Sequence, residues 1–168
     1  MSSFFYILNI KYTSSKDKKL IEQQDKSKIF KLASDLDNDL ESQDIERLVP
    51  YFSEDCEIEM LGIKLKGKSG LKKWLNWFFA MFESIKFEPI VIIVENNIFF
   101  EEFYIHTSFK NGKQLNVKIT EVLEYENYKI KSLRLYLDRL EFADAALDSF
   151  LSKKLVRLIK KKSLKGLL

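Results

Sequence analysis

The spacing of apolar residues changes partway along the chain. Between Lys28 and Ser42, the residues Ile29, Leu32, Ala33, Leu36 and Leu40 recur every three or four positions, which predicts one amphipathic helix. Asp44 stands where an N-cap belongs, ahead of a second, short helix over 45–52. From Cys56 the period drops to two. In Cys56-Glu-Ile-Glu-Met60, alternation puts Cys56, Ile58 and Met60 on one face of a strand. Gly62, Gly67 and Gly70 mark loops, and Ser69 is placed to cap a third helix over 71–85 with an aromatic stripe of Trp74, Trp77, Phe78 and Phe82. Four strand-like runs follow, at 87–95, 98–109, 114–126 and 129–138. Asn96-Asn97, Asn111-Gly112 and Asn127-Tyr128 separate them as tight turns, and Asn-Gly suits a two-residue type I′ hairpin. A last helical run begins at Glu141 and carries Leu147, Leu151, Leu155, Leu158 and Ile159.

Helices first and a strand meander afterwards describe an α+β domain. The pattern divides the chain into an N-terminal arm over 1–27, a domain over 28–148 and a basic amphipathic tail over 149–168. A length of 168 residues suits one such domain, and fourteen Phe are enough to line a sizeable core or an apolar cavity. The single cysteine, Cys56, cannot form an intrachain disulfide and reads as an inert buried thiol, which fits a cytoplasmic protein. No run approaches the roughly 18 apolar residues of a membrane span. The opening Phe4-Phe5-Tyr6-Ile7-Leu8 lacks the basic flank of a signal peptide.

Charge is unevenly placed. The tail from Ser149 carries seven Lys or Arg and no acid, so a net charge of +3 leaves the rest of the chain at −4. A body of that sign excludes a nucleic-acid-binding surface there, and the tail lacks the aromatic–basic interleaving that single strands require. Two readings of the tail stay open. Its leucine stripe packs on the domain or on a second copy, or the helix lies on an anionic membrane surface.

Three segments carry a family resemblance. They are Asp44-Ile-Glu-Arg-Leu-Val-Pro-Tyr-Phe-Ser-Glu-Asp55, Gly67-Lys-Ser-Gly-Leu71 and Tyr128-Lys-Ile-Lys-Ser-Leu-Arg-Leu-Tyr-Leu-Asp138. In order and spacing they resemble the nuclear-transport-factor-2-like superfamily of ketosteroid-isomerase-like and SnoaL-like domains. That resemblance implies a cone: a curved, mixed or antiparallel sheet wrapped around three N-terminal helices, with a blind pocket on the concave side and a C-terminal basic helix added. It also implies where the chemistry sits. The isomerase base falls on Met60, its helix tyrosine on Leu36 and its protonated acid on Glu121. The cyclase and hydrolase acid falls on Leu135, and the hydrolase Arg–Asp pair on Glu102 and Tyr104. Since Met60 and Leu135 cannot move a proton, the family mechanisms are not expected here.

Period-two alternation, anchored on a two-residue turn at Asn111-Gly112, points Glu102, Tyr104 and His106 into the pocket beside Glu121. These four are the candidate catalytic residues. Leu36, Ile58, Met60, Trp74, Phe78, Leu133, Leu135 and Leu137 form the expected ligand-binding wall. Lacking the inherited base, the domain is expected to bind a small apolar or aromatic molecule without the usual acid/base catalysis. The alternatives are an isomerase, dehydratase or hydrolase built on His106 with Glu121, Glu102 and Tyr104, and an interaction module. No cofactor and no resident metal is called for. On the outer sheet face, Phe103, Ile105, Val122 and Tyr136 are expected to form an apolar patch that pairs two copies. Light scattering at micromolar concentration is then expected to give a dimer mass, and a monomer mass would contradict it.

Overall fold

The computed structural model describes residues 23–166, except Asn111 and Asp148. The expected arm therefore lies mostly outside the described residues. Helix α1 (Lys26–Ser42) begins two residues earlier than periodicity predicts, because Asp25 caps it by accepting from the Lys28 N–H at 3.0 Å. Helix α2 (Ile45–Leu48), capped by Asp44, passes into a 3₁₀ turn (Val49–Tyr51) that Pro50 favours. Strands β1 (Phe52–Met60) and β2 (Ile63–Lys66) form a hairpin whose second strand was not expected. The sequence Ile-Lys-Leu-Lys is too short to show its period.

Helix α3 (Gly67–Met81) starts before Ser69, and no side chain caps it. Gly70 belongs to this helix rather than to a loop: a Cβ there would meet the backbone carbon of Leu65 at 3.0 Å, so its absence lets α3 lie close on β2. The helix ends at Met81, not at residue 85. From Phe82 the chain is strand β3 (Phe82–Glu95), which pairs with β4 (Ile98–Phe109) as far as Phe109. The Phe82 ring sits 5.0 Å from Phe109 and 5.2 Å from Phe78, so aromatic packing favours the extended path. Strands β5 (Gln114–Glu126) and β6 (Lys129–Leu137), helix α4 (Arg139–Ala146) and helix α5 (Phe150–Ser163) complete the order. Asp138, expected in the last strand, instead caps α4 through the N–H groups of Leu140 and Glu141.

The six strands run β2-β1-β6-β5-β4-β3, with β1 parallel to β6 and every other pair antiparallel. This is the expected α+β cone: one curved mixed sheet with α1 and α3 on its inner side. Asn96-Asn97 and Asn127-Tyr128 are two-residue turns with positive φ at both positions, as a type I′ hairpin needs. The third turn differs. The Phe109 N–H donates to the Lys113 carbonyl and the Gly112 N–H to the Phe109 carbonyl, so β4 and β5 are joined by three residues. Gly112, at φ 81°, takes the left-handed position that such a loop uses.

One added residue slips the pair by one, and every β4 side chain changes face. Glu101, not Glu102, stands opposite Glu121. Phe99, Glu101, Phe103, Ile105, Thr107 and Phe109 point inward and are buried. Glu102, Tyr104 and His106 therefore lie on the outer face, contrary to the sequence expectation. Phe103 and Ile105 leave the expected dimer patch for the core, so that face is carried by Tyr104, Val122 and Tyr136. Leu133, Leu135 and Leu137 do face inward. No helix among the described residues is long and apolar enough to cross a membrane.

The core has two parts. One joins α1 and α3 to β1, β5 and β6 through Leu36, Ile58, Met60, Trp74 and Leu123; the other lies at the far ends of β4 and β5 around Phe82, Phe103 and Val117. Leu123 is fully buried at the centre of the first. Leu123→Ala is expected to cost about 2–5 kcal/mol, read from urea unfolding midpoints.

Candidate active site

Among the described residues the inner face carries one cluster of acids, and it was only partly foreseen. Glu121 on β5 faces Glu101 on β4 across the ladder, and Asp37 on α1 reaches down from above. One carboxylate oxygen from each of these three lies within 4.8 Å of the other two. Local structure explains how each arrives. Asp37 is four residues after Ala33 and three before Leu40, both buried, so helical geometry puts it on the edge of the inward face. Glu101 and Glu121 each occupy an inward slot of a strictly alternating strand. The neighbours are apolar: Leu36, Phe99 and Leu123 belong to the same packed core.

Burial sets the electrostatics. Glu101 is 1% exposed and Glu121 5%, and one carboxyl oxygen of each has no hydrogen-bond partner. Loss of water raises the Glu101 carboxyl from the usual 4.5 to about 7. Burial, then the charges of Glu101 and Glu41, push Asp37 from 3.8 up to about 8. Glu121 is held well above the carboxylate range, first by burial and then by Asp37 and Glu101. Tyr125, two turns of the pleat further along β5, is 2% exposed, and its hydroxyl is also unpartnered. Burial, then the Glu121 and Asp37 charges, raise its phenol far above the ordinary value. At neutral pH this set holds protons: a neutral carboxyl can donate one while a neighbour that has lost its own accepts. Three carboxyl oxygens are also the donor type a hard divalent cation takes, but binding one requires them deprotonated, which burial opposes.

The other expected residues are elsewhere. His106 lies on the outer face, its Nε2 donating to Glu88 Oε2 at 2.8 Å and its Nδ1 standing 3.1 Å from Asn116 Oδ1. Glu102 pairs with Lys118 at 3.2 Å, and Tyr104 is exposed beside that same lysine. None of the three approaches Glu121, so no acid/base set forms around His106. Asp37 and Glu101 were missed. The signal for Glu101 was present as an acid inside the run Phe99-x-Glu101-x-Phe103-x-Ile105, where every other inward slot is apolar.

Two apolar cavities adjoin along Met60, Leu61 and Trp77. The larger, about 150 Å³, lies between β2 and α3 with Trp74 in its wall and Lys73 at its edge. The smaller, about 30 Å³, runs under α4, closed by Phe142 and floored by Ile119 and Leu135. Leu135 is the ladder partner of Glu121. The expected wall residues divide between these spaces and the core: Met60, Trp74, Phe78, Leu135 and Leu137 line a cavity, while Leu36, Ile58 and Leu133 are packed solid. The indole N–H of Trp74 is buried without an acceptor.

A stability consequence follows from the raised carboxyls. The folded chain binds more protons than the unfolded chain above pH 4, so the cluster's contribution is full below the unfolded values of 3.8 and 4.5 and is lost as pH rises through about 7 to 8. Unfolding free energy is expected to fall between about pH 5 and pH 8 by about 1.4 kcal/mol per pH unit for each carboxyl still protonated in the folded chain, and the Glu101→Gln/Glu121→Gln variant to keep only the share of Asp37. Urea titrations at the two pH values check this; an unchanged slope in the variant would show that the carboxyls are not held protonated.

With the geometry in place, the chain can be set beside known proteins. The family described as SnoaL-like domain matches residues 36–133. No curated protein matches the chain. Among solved structures, it is similar to an NTF2-like protein of unknown function from Burkholderia pseudomallei, at TM-score 0.67 and 12% identity over 72% of this chain and 98% of that one. It is similar to SalBIII, an epoxide hydrolase/cyclase-like enzyme of pyran ring formation in the polyether salinomycin, at TM-score 0.62 and 15% identity over 70% and 95% of the two chains. A protein with a ketosteroid isomerase-like fold from Catenulispora acidiphila gives TM-score 0.62 and 14% identity over 68% and 91%. At these identities the structures speak for the fold alone, and the match over 36–133 gives the family: the chain belongs to the SnoaL-like domain family.

Proposed function

We propose that this domain binds a small, neutral, largely apolar molecule bearing an acceptor oxygen, and that Asp37, Glu101 and Glu121 transfer protons to and from it. The observation that carries the reading is the carboxyl cluster itself. Three acids drawn from three elements are gathered in an apolar interior, with one oxygen of Glu101 and one of Glu121 unpartnered. A fold gains nothing from that arrangement, since burying unpaired carboxyls costs on the order of several kcal/mol. Such groups concentrate where a protein needs a proton near neutral pH.

The ligand class follows from the walls. An apolar space of about 150 Å³ is the size that accepts a single benzene-like ring, and it adjoins the smaller cavity, whose Leu135 is the ladder partner of Glu121. The unpaired Trp74 indole N–H favours a ligand carrying one acceptor. The reaction class is proton relocation. A carboxyl donates to the carbonyl oxygen of a ketone while a neighbouring carboxylate takes the proton from the adjacent carbon. The carbon–hydrogen electron pair becomes the enol double bond, and nothing else is consumed. SalBIII, which shares the fold, is an epoxide hydrolase/cyclase-like enzyme. This reading departs from the non-catalytic expectation because the acids missing from Met60 and Leu135 are supplied from Asp37 and Glu101.

Cyclohexanone serves as the probe. In deuterated water, the chain is expected to exchange its α-hydrogens at least about tenfold faster than the Glu101→Gln/Glu121→Gln variant, within the usual range for one positioned acid or base. The Trp74 indole resonance is expected to shift on addition of the ketone. Exchange no faster than buffer, with no shift at Trp74, would overturn the reading.

A further inference from the structure

Helix α5 resolves one of the alternatives left open by the tail. Among the described side chains of this helix only Val156 is buried, at 8% exposure, and that side is packed toward the domain. The leucines turn the other way. Leu151 is 74% exposed and Leu155 58%, with Leu158, Ile159 and Leu164 also in the open. At 3.6 residues per turn, Leu151, Leu155 and Leu158 fall within about 60° of one another, roughly opposite Val156. Lys162 projects among them, and Lys154 and Lys161 flank them. The stripe, which one of the two readings packed on the domain or a second copy, is thus presented outward, edged with lysines.

Among the described residues, Arg157 alone of these basic side chains is paired, with Asp144 of α4 at 3.7 Å. Among the described ion pairs none involves Lys153, Lys154, Lys160, Lys161, Lys162 or Lys165.

We infer that α5 is a membrane-docking helix that lies in the plane of an anionic lipid surface, leucines down and lysines among the headgroups. Charge decides the occupant. A second copy would bring two tails of seven positive charges face to face, which repel. A nucleic acid would match the lysines but make no use of an aliphatic stripe. An anionic bilayer satisfies both, and the negative body turns away from it. The Arg157–Asp144 pair holds α5 to α4, whose Phe142 closes the smaller cavity. Docking therefore sets α4, which covers the smaller cavity, near lipid, where a neutral apolar ligand would be found. That consequence rests on the function proposed above; the docking does not.

Co-sedimentation with phosphatidylcholine vesicles, with and without phosphatidylserine, tests the inference. The full chain is expected to partition at least about tenfold more strongly onto vesicles with phosphatidylserine, and to come off as salt rises. Leu155→Ser with Leu158→Ser, and separately Lys161→Glu with Lys162→Glu, should each reduce partition about tenfold while leaving circular dichroism unchanged, because all four side chains are solvent-exposed. Equal binding to both vesicle types, or variants that bind like the parent chain, overturns the inference. So does a dimer in light scattering that Leu155→Ser with Leu158→Ser converts to monomer while no vesicle binding is seen; the occupant is then a second copy.

Discussion

Across the β4–β5 ladder, Glu101 and Glu121 stand side by side in a space from which water has been removed, and Asp37 closes the triangle from α1. Two charges that close cannot both be kept in a low dielectric, so the interior stays intact only if protons stay with it. This constraint orders the rest of the site. It requires the register of β4 against β5, which the three-residue loop between Phe109 and Lys113 sets. It requires α1 to cross where Asp37 reaches the strands, a position held by Leu36 and Leu40 on either side. It also leaves Tyr125 with a neutral phenol and no partner in the same neighbourhood.

The surrounding wall gives the cluster its character. The same carboxyls at the surface would be ordinary acids. Beneath Leu36, Phe99 and Leu123 they hold protons into the neutral range. Met60 and Leu135, where the resemblance led one to expect acids, are apolar and still frame the site: Leu135 faces Glu121 on the ladder and both line the cavities.

Much of the fold was legible from periodicity. The limits of β4 and β5, the turns at Asn96-Asn97 and Asn127-Tyr128, and the inward leucines of β6 follow from alternation and turn chemistry. The site was less legible for a specific reason. A period of two fixes which residues share a face but not which face is inside; that needs the neighbouring strand's register, and one loop residue reverses it. Asn-Gly suggested a two-residue turn, and the expectation for Glu102, Tyr104 and His106 failed with it. The apolar company of Glu101 was the better guide, because Phe99, Phe103 and Ile105 cannot all face water. The direction of the α5 leucines was hidden in another way: amphipathicity shows that a stripe exists, not what it meets.

The raised carboxyls are the claim on which the site depends. Their titration can be followed directly by carbon-13 NMR of chains labelled at the glutamate side-chain carboxyl, with Glu101→Gln and Glu121→Gln assigning the signals. Two glutamate resonances titrating well above 4.5, that of Glu101 near 7, are the predicted result. If every glutamate carboxyl titrates in the ordinary range near 4.3, the interior is wet, and the proton-holding site described here does not exist.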